Sequence, residues 1–142
     1  AAGSFHSTHG PTRLDETTSA VTVLLLALGG AIGVLCRYHG ARLIHARLQH
    51  LFPWGILLVN LSGSFLLGLV ANRLAHNPSS SADTWVLVFG VGFCGAYTTF
   101  SSFVFDSVRL WHLGYPQLAV WNLAIQPLLG VLAAWCGLLL SE

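Results

Sequence analysis

Gly92-Phe93-Cys94-Gly95-Ala96-Tyr97-Thr98-Thr99-Phe100-Ser101-Ser102-Phe103 lies in the middle of an apolar segment, Trp85 to Leu110, long enough to cross a bilayer. A continuous transmembrane helix does not ordinarily place two glycines, two consecutive threonines and two serines at its centre. In hydrocarbon every backbone N–H and C=O needs a partner. Irregular backbone at that depth survives only where it is buried in protein or lines a polar cavity. The segment therefore reads as a helix broken in mid-membrane around an ion or a water-filled path. Phe100 and Phe103, three residues apart, sit beside the break.

Outward from this stretch, the chain is 54% hydrophobic and 8% charged over 142 residues, which places it among integral membrane proteins. Four long apolar runs are visible, at about residues 20–44, 54–74, 85–110 and 115–140. Each is long enough to span the bilayer with some tilt. A water-soluble alternative would need four helices that are apolar nearly all round. The expected fold is all-α: four transmembrane helices, the third broken, in one membrane domain over residues 19–142. Residues 1–18 read as a polar leader, expected to be mobile. The chain has no methionine, so its N-terminus reads as processed, trimmed or renumbered. The first run is too long, and follows too polar a leader, to be a cleavable signal peptide.

Net charge is +1 and all six basic residues are arginine. With four spans, Arg42, Arg47 and Arg109 flank one membrane face, and Arg13 and Arg73 belong to the other. This bias is slight under the positive-inside rule, so either insertion direction, or both, is open. Trp54, Trp85, Trp111 and Tyr115 stand at span ends, where amphipathic rings favour the headgroup level. Cys36, Cys94 and Cys136 fall in apolar spans, form no CxxC and read as packing residues.

Several polar positions interrupt the spans. Arg37 ends the first; it either snorkels to the interface or serves as an anion-attracting vestibule charge, with Asp106 as a candidate partner. Asn60, near the middle of the second span, has two N–H donors that suit a bare anion or an interhelical hydrogen bond. Ser62 and Ser64 suit back-bonding within their own helix. Asn122, Gln126 and Gly130 recur every four residues and so share one face of the fourth span, as a pore lining or as inter-subunit hydrogen-bonding groups. Gly29 and Gly33 form a GxxxG pair that lets another helix approach closely. With the polar centre of span three, it points to an assembly larger than one chain.

Absences narrow the function class. No acidic residue lies mid-span, as a proton-coupled exporter requires. No convergent His, Cys or carboxylate set marks a metal transporter, and there is no nucleotide-binding GxxxxGK[ST]. What remains is neutral donors, aromatic rings with electropositive edges and a broken backbone. This chemistry replaces part of a small anion's hydration shell without holding the ion too tightly. Exposed carbonyls at a helix break suit a hard cation instead.

These residues carry a resemblance. Gly29-Gly30-Ala31-Ile32-Gly33-Val34-Leu35-Cys36-Arg37-Tyr38 resembles the GGxxGxxxRY segment of the Fluc, or CrcB, fluoride channels. Residues 54–68, Trp54 to Gly68, resemble their second-helix G-T-x-x-x-N-x-x-G-S-F-x-x-G motif, and residues 92–103 their G-x-x-G-G-x-T-T-F-S-T-F motif. The likeness spans about Val21 to Leu140. It implies a passive fluoride channel that relieves fluoride toxicity in the cell membrane, and not an enzyme. It implies an antiparallel, dual-topology dimer with two pores along the subunit interface, each pore conducting fluoride out of the cell. It implies one structural Na⁺ at the dimer centre, held by the backbone carbonyls of Gly95 and Thr98. Phe100 and Phe103 then correspond to the pore phenylalanines, Asn60 to the pore asparagine and Arg37 to the vestibule arginine. Ser101 falls with the pore residues, and Asn122 and Gln126 lie where the family has a hydroxyl-bearing track.

Three departures stand out. Ile56 replaces a threonine, Ala96 replaces a glycine that is free to adopt positive φ, and the span-four track is carboxamide rather than hydroxyl. Two other readings stay open. One is a four-helix, dual-topology drug or cation exporter, which the lack of an embedded glutamate in the first span disfavours. The other is a non-transporting subunit that supports a paralogous partner.

Overall fold

The computed structural model describes the backbone of residues 13–48, 50–76 and 80–141, and the side chains of 19–48, 50–71 and 84–141. The leader as far as residue 12 and part of the loop between the second and third spans lie outside the described residues. Among the described residues all regular structure is helical: α1 Arg13–Leu48, α2 Trp54–His76, α3 Ser80–Leu87, α4 Gly95–Tyr97, α5 Phe100–His112 and α6 Pro116–Leu140. A π-helical segment, Val88–Cys94, joins α3 to α4. Four stretches are long and apolar enough to cross a membrane: Ser19–Leu48, Trp54–Ala71, Thr84–His112 and Pro116–Leu140. The chain is thus a multi-pass membrane protein. Backbone helix already begins at Arg13, ahead of the expected start of the first span.

Local chemistry sets the turn between α5 and α6. Gly114 has φ +84° and follows the last helical residues, so its lack of a Cβ removes the strain of that conformation. Its N–H donates to the Trp111 carbonyl at 3.1 Å, and the Tyr115 N–H to that of Leu110 at 3.0 Å. This paired arrangement satisfies the orphan carbonyls at a helix C-terminus. Pro116 then opens α6, where its missing N–H is not needed. Trp54, Trp85, Trp111 and Tyr115 are all exposed near helix ends, as headgroup-level anchors should be.

Helices approach most closely where side chains are absent. α2 packs most extensively on α6. At that crossing a Cβ on Gly68 would run into the Ala134 carbonyl oxygen, and one on Gly137 into that of Phe65. On the other side of the bundle, α1 lies against the π-helical segment. A Cβ on Gly29 would lie 2.8 Å from the Val88 carbonyl oxygen, and one on Gly33 would collide with that of Phe93. The Gly29/Gly33 pair therefore serves packing within the chain.

In the third span, α4 gives way at Thr98 (φ −77°, ψ 158°), and Thr99 is also extended (φ −151°, ψ 124°) before α5 begins. Ala96 lies within α4, in a helical conformation that alanine adopts without strain. The glycine it replaces is not required by this backbone.

Candidate functional site

Two extended residues in an apolar segment leave backbone groups without helical partners, and Asn60 on α2 supplies them. Its Oδ1 accepts from the Thr99 N–H at 2.8 Å, and its Nδ2 donates to the Thr99 carbonyl at 3.1 Å. The carboxamide thus pairs with both backbone polar groups of one residue, Thr99. Gly63, one turn further along α2, makes room: a Cβ there would collide with the Thr98 methyl. The hydroxyl of Thr99 caps α5, accepting from the Ser102 N–H at 3.2 Å. The Thr98 hydroxyl donates to the Cys94 carbonyl at 3.0 Å.

A hydrogen-bonded chain runs outward from this point. Asn60 Nδ2 also donates to Gln126 Oε1 at 2.9 Å, and Gln126 Nε2 to Asn122 Oδ1 at 2.9 Å. Asn122 Nδ2 donates to Ser107 Oγ at 2.8 Å, and the Ser107 hydroxyl to the Phe103 carbonyl at 2.9 Å. Thr99, Ser107, Asn122 and Gln126 are all buried, so in hydrocarbon each of these bonds matters.

Beside the chain lies a cavity of about 440 Å³, lined among others by Asn60, Thr99, Phe100, Phe103, Gln126 and Gly130. Phe100 is 77% exposed and Phe103 5%. Their rings meet edge to face, with centroids 5.6 Å apart. The structure therefore brings Asn60, Phe100, Phe103 and Gln126 together around one space. Asn122 stands behind them, fully buried and off the cavity wall. Ser101 is elsewhere: it bonds to the Thr99 hydroxyl at 3.2 Å and lines a separate open depression with Ile56, Ser102, Phe105 and Asp106. Ile56 likewise does not reach the cavity, so the hydroxyl missing at this position is not missing from its wall.

Arg37 lies on the opposite side of the extended pair. Its guanidinium donates to the Thr98 carbonyl at 3.3 Å. Asp106 is not its partner; that carboxylate shares a cavity of about 250 Å³ at the end of the bundle with Arg42, His45 and Arg109. The reason is register: Arg37 comes level with the break, whereas Asp106 lies nearly two turns further along α5.

For a cation, this chain offers carbonyls rather than charged ligands. No group of three or more His, Cys, Asp or Glu residues converges among the described residues. Gly95 is exposed, with nothing within 4 Å of where a Cβ would be. A carbonyl has two lone pairs, so the Thr98 oxygen retains one beside the Arg37 bond. The pair fits a hard cation such as Na⁺ as part of a ligand set, and Arg37 is a competing positive charge at the same oxygen.

Ser107 and Thr99 were not among the sequence-derived site residues. Ser107 lies four residues after Phe103 and so shares its helix face, a spacing that marks it as a neighbour. Thr99 carries the capping pattern of a threonine three residues before a serine whose N–H it accepts. The role of both as bonding partners of α2 and α6 depends on tertiary register.

Comparison with known proteins bears on the same residues. The family model for "CrcB-like protein, Camphor Resistance (CrcB)" matches residues 24–138, which include the whole site. A protein of Acidobacterium capsulatum named fluoride-specific ion channel FluC is 42% identical, with 84% of this chain and 94% of that protein covered. One of the same name from Magnetococcus marinus is 42% identical, covering 82% and 94%. Fluoride-specific ion channel FluC 2 of Haloarcula marismortui is 45% identical, covering 78% and 88%.

Proposed function

Because this chain belongs to the CrcB-like family, whose relatives carry the name fluoride-specific ion channel, we propose that it is a passive fluoride-selective channel. The observation that carries this reading is the cavity where Phe100, Phe103, Asn60 and Gln126 surround the extended Thr98–Thr99 backbone. Such a wall offers ring edges and amide groups but no fixed charge. An anion there trades part of its hydration for weak donors and can still leave.

The interruption of the third span contributes in two directions. α5 starts beside the cavity, and a helix N-terminus carries partial positive charge that favours an anion. The break also offers the carbonyls of Gly95, an exposed residue, and of Thr98, a half-buried one. We assign them to one Na⁺, which a second copy of the chain would complete from its own two carbonyls. When bound, the cation supplies a fixed positive charge at the centre of the assembly. In this reading the partner is an antiparallel second copy, and two pores run along the interface. Arg37 contributes positive charge close to the same point. No ATP is consumed: a negative-inside potential drives an anion outward with about 2.3 kcal/mol per 100 mV.

A paralogous partner in place of a second copy is the alternative assembly. The slight arginine bias leaves orientation weakly specified, and one relative carries the numbered name FluC 2. Expression of this chain alone in a fluoride-sensitive bacterial strain tests the reading. Growth at fluoride concentrations that stop the parent strain is expected. No rescue by an inserted, correctly folded protein would contradict a self-sufficient channel.

A further inference from the structure

The hydrogen-bond directions within the site divide labour between two carboxamides, an inference that rests on the fluoride-channel reading above. The Thr99 backbone N–H lies 2.8 Å from one end of the Asn60 amide. A backbone N–H only donates, so that end is the oxygen. The NH₂ end then faces the Thr99 carbonyl and Gln126 at 3.1 and 2.9 Å. Reversing Asn60 would set donor against donor. Gln126 must therefore present its oxygen to Asn60 and its nitrogen to Asn122 Oδ1. Asn122 in turn presents its NH₂ to Ser107, whose hydroxyl ends on the Phe103 carbonyl. Each orientation follows from the one before, and the chain is anchored on backbone at both ends.

Donor capacity now separates the residues. Asn60 has two N–H groups and two acceptors, the Thr99 carbonyl and Gln126 Oε1. Asn122 also has two, Ser107 Oγ and, at 3.5 Å, the Phe103 carbonyl. Gln126 has two N–H groups and one acceptor, Asn122 Oδ1. Of the three carboxamides, Gln126 alone retains an uncommitted N–H, and it lies on the wall of the cavity with Phe100 and Phe103.

We propose that Gln126, rather than Asn60, supplies the amide N–H that meets the anion in this protein. Asn60 holds the Thr98–Thr99 backbone in place. Asn122 and Ser107 are positioning residues that fix which way the Gln126 amide points.

Gln126→Glu separates a donor from a charge. Ionised, its carboxylate still accepts from Asn60 but donates nothing. Protonated, it has one O–H, which Asn122 Oδ1 takes. Fluoride efflux from liposomes holding the full-length variant is expected at least about tenfold below the parent protein throughout roughly pH 5–8, the range that reaches perturbed buried carboxyls. Parent-like efflux anywhere in that range, including recovery at the acid end, would mean that charge alone mattered and would overturn the proposal. Gln126→Met frees one Asn60 N–H, so its efflux should fall below the parent but stay above that of Gln126→Glu. Parent-like efflux in Gln126→Met overturns the proposal even if the glutamate variant fails to fold. Ser107→Ala should lower the fluoride-to-chloride efflux ratio; an unchanged ratio overturns the positioning roles. A parent protein that moves no fluoride would instead refute the channel reading on which this inference rests.

Discussion

Asn60 makes three hydrogen bonds at the one place where the third span loses its helical bonding. Removing it leaves the Thr99 N–H and Gln126 Oε1 without partners, at about 1–3 kcal/mol for each buried group, and takes from the Thr99 carbonyl the bond it makes beside its own helical one. Asn60→Leu should therefore lose both conduction and thermal stability in detergent. Asn60→Asp should block conduction as well, because its oxygens would face the Thr99 carbonyl and Gln126 Oε1; a conducting aspartate variant would contradict this bonding. The phenylalanines act differently. Phe100 is largely exposed in the chain, so Phe100→Ile should reduce fluoride efflux with little loss of stability. Phe103→Ile should reduce efflux and also loosen packing. An efflux assay paired with thermal denaturation separates these outcomes, and unchanged flux in both variants would remove the ring edges from the mechanism. At this scale much was legible from sequence. Asn60, Phe100, Phe103 and Gln126 stand out as polar or aromatic groups inside apolar runs. That Asn122 turns inward to Ser107, and Ser101 away from the cavity, follows from helix rotation and neighbour register, which no local pattern encodes.

Elements depend on close backbone approach more than on large buried side chains. Gly33, Gly68 and Gly137 each stand where a Cβ would collide with a carbonyl oxygen of a neighbouring helix. Alanine at any of them forces the helices apart and should cost about 1–3 kcal/mol, the range for overpacking. Gly40 is the matched contrast: its nearest neighbour would be the Val59 methyl at 3.7 Å. Gly40→Ala should be neutral or slightly stabilising, through helix propensity. Thermal unfolding in detergent checks both; a Gly137→Ala variant as stable as the parent would argue against the α2–α6 crossing. Four spans were readable because each apolar run exceeds the bilayer thickness. The glycine pair of α1 was readable as a close-approach face, but its partner was not. The π-helical segment has no periodic signature distinguishable from that of an ordinary helix.

The whole molecule leaves the candidate spans of α1 and α6 poorly covered, with 6% and 11% of their most apolar windows buried, against 28% in the second and third spans. Lipid or another chain must cover the rest, and covering it with an antiparallel copy is the assembly proposed above. That assembly predicts a dependence on Na⁺: exchanging Na⁺ for a large organic cation during purification and assay should slow fluoride efflux or weaken the dimer, and indifference on both counts would contradict the carbonyl site at Gly95 and Thr98. Topology reporters on both termini should find each terminus on both sides of the membrane if the chain pairs with itself. The most direct measurement reconstitutes the purified chain alone in liposomes and follows efflux with a fluoride-selective electrode, with chloride as control. Rapid fluoride efflux with little chloride is the predicted result. A folded, inserted protein that releases neither ion, or both equally, would contradict a fluoride-selective channel built from this chain alone.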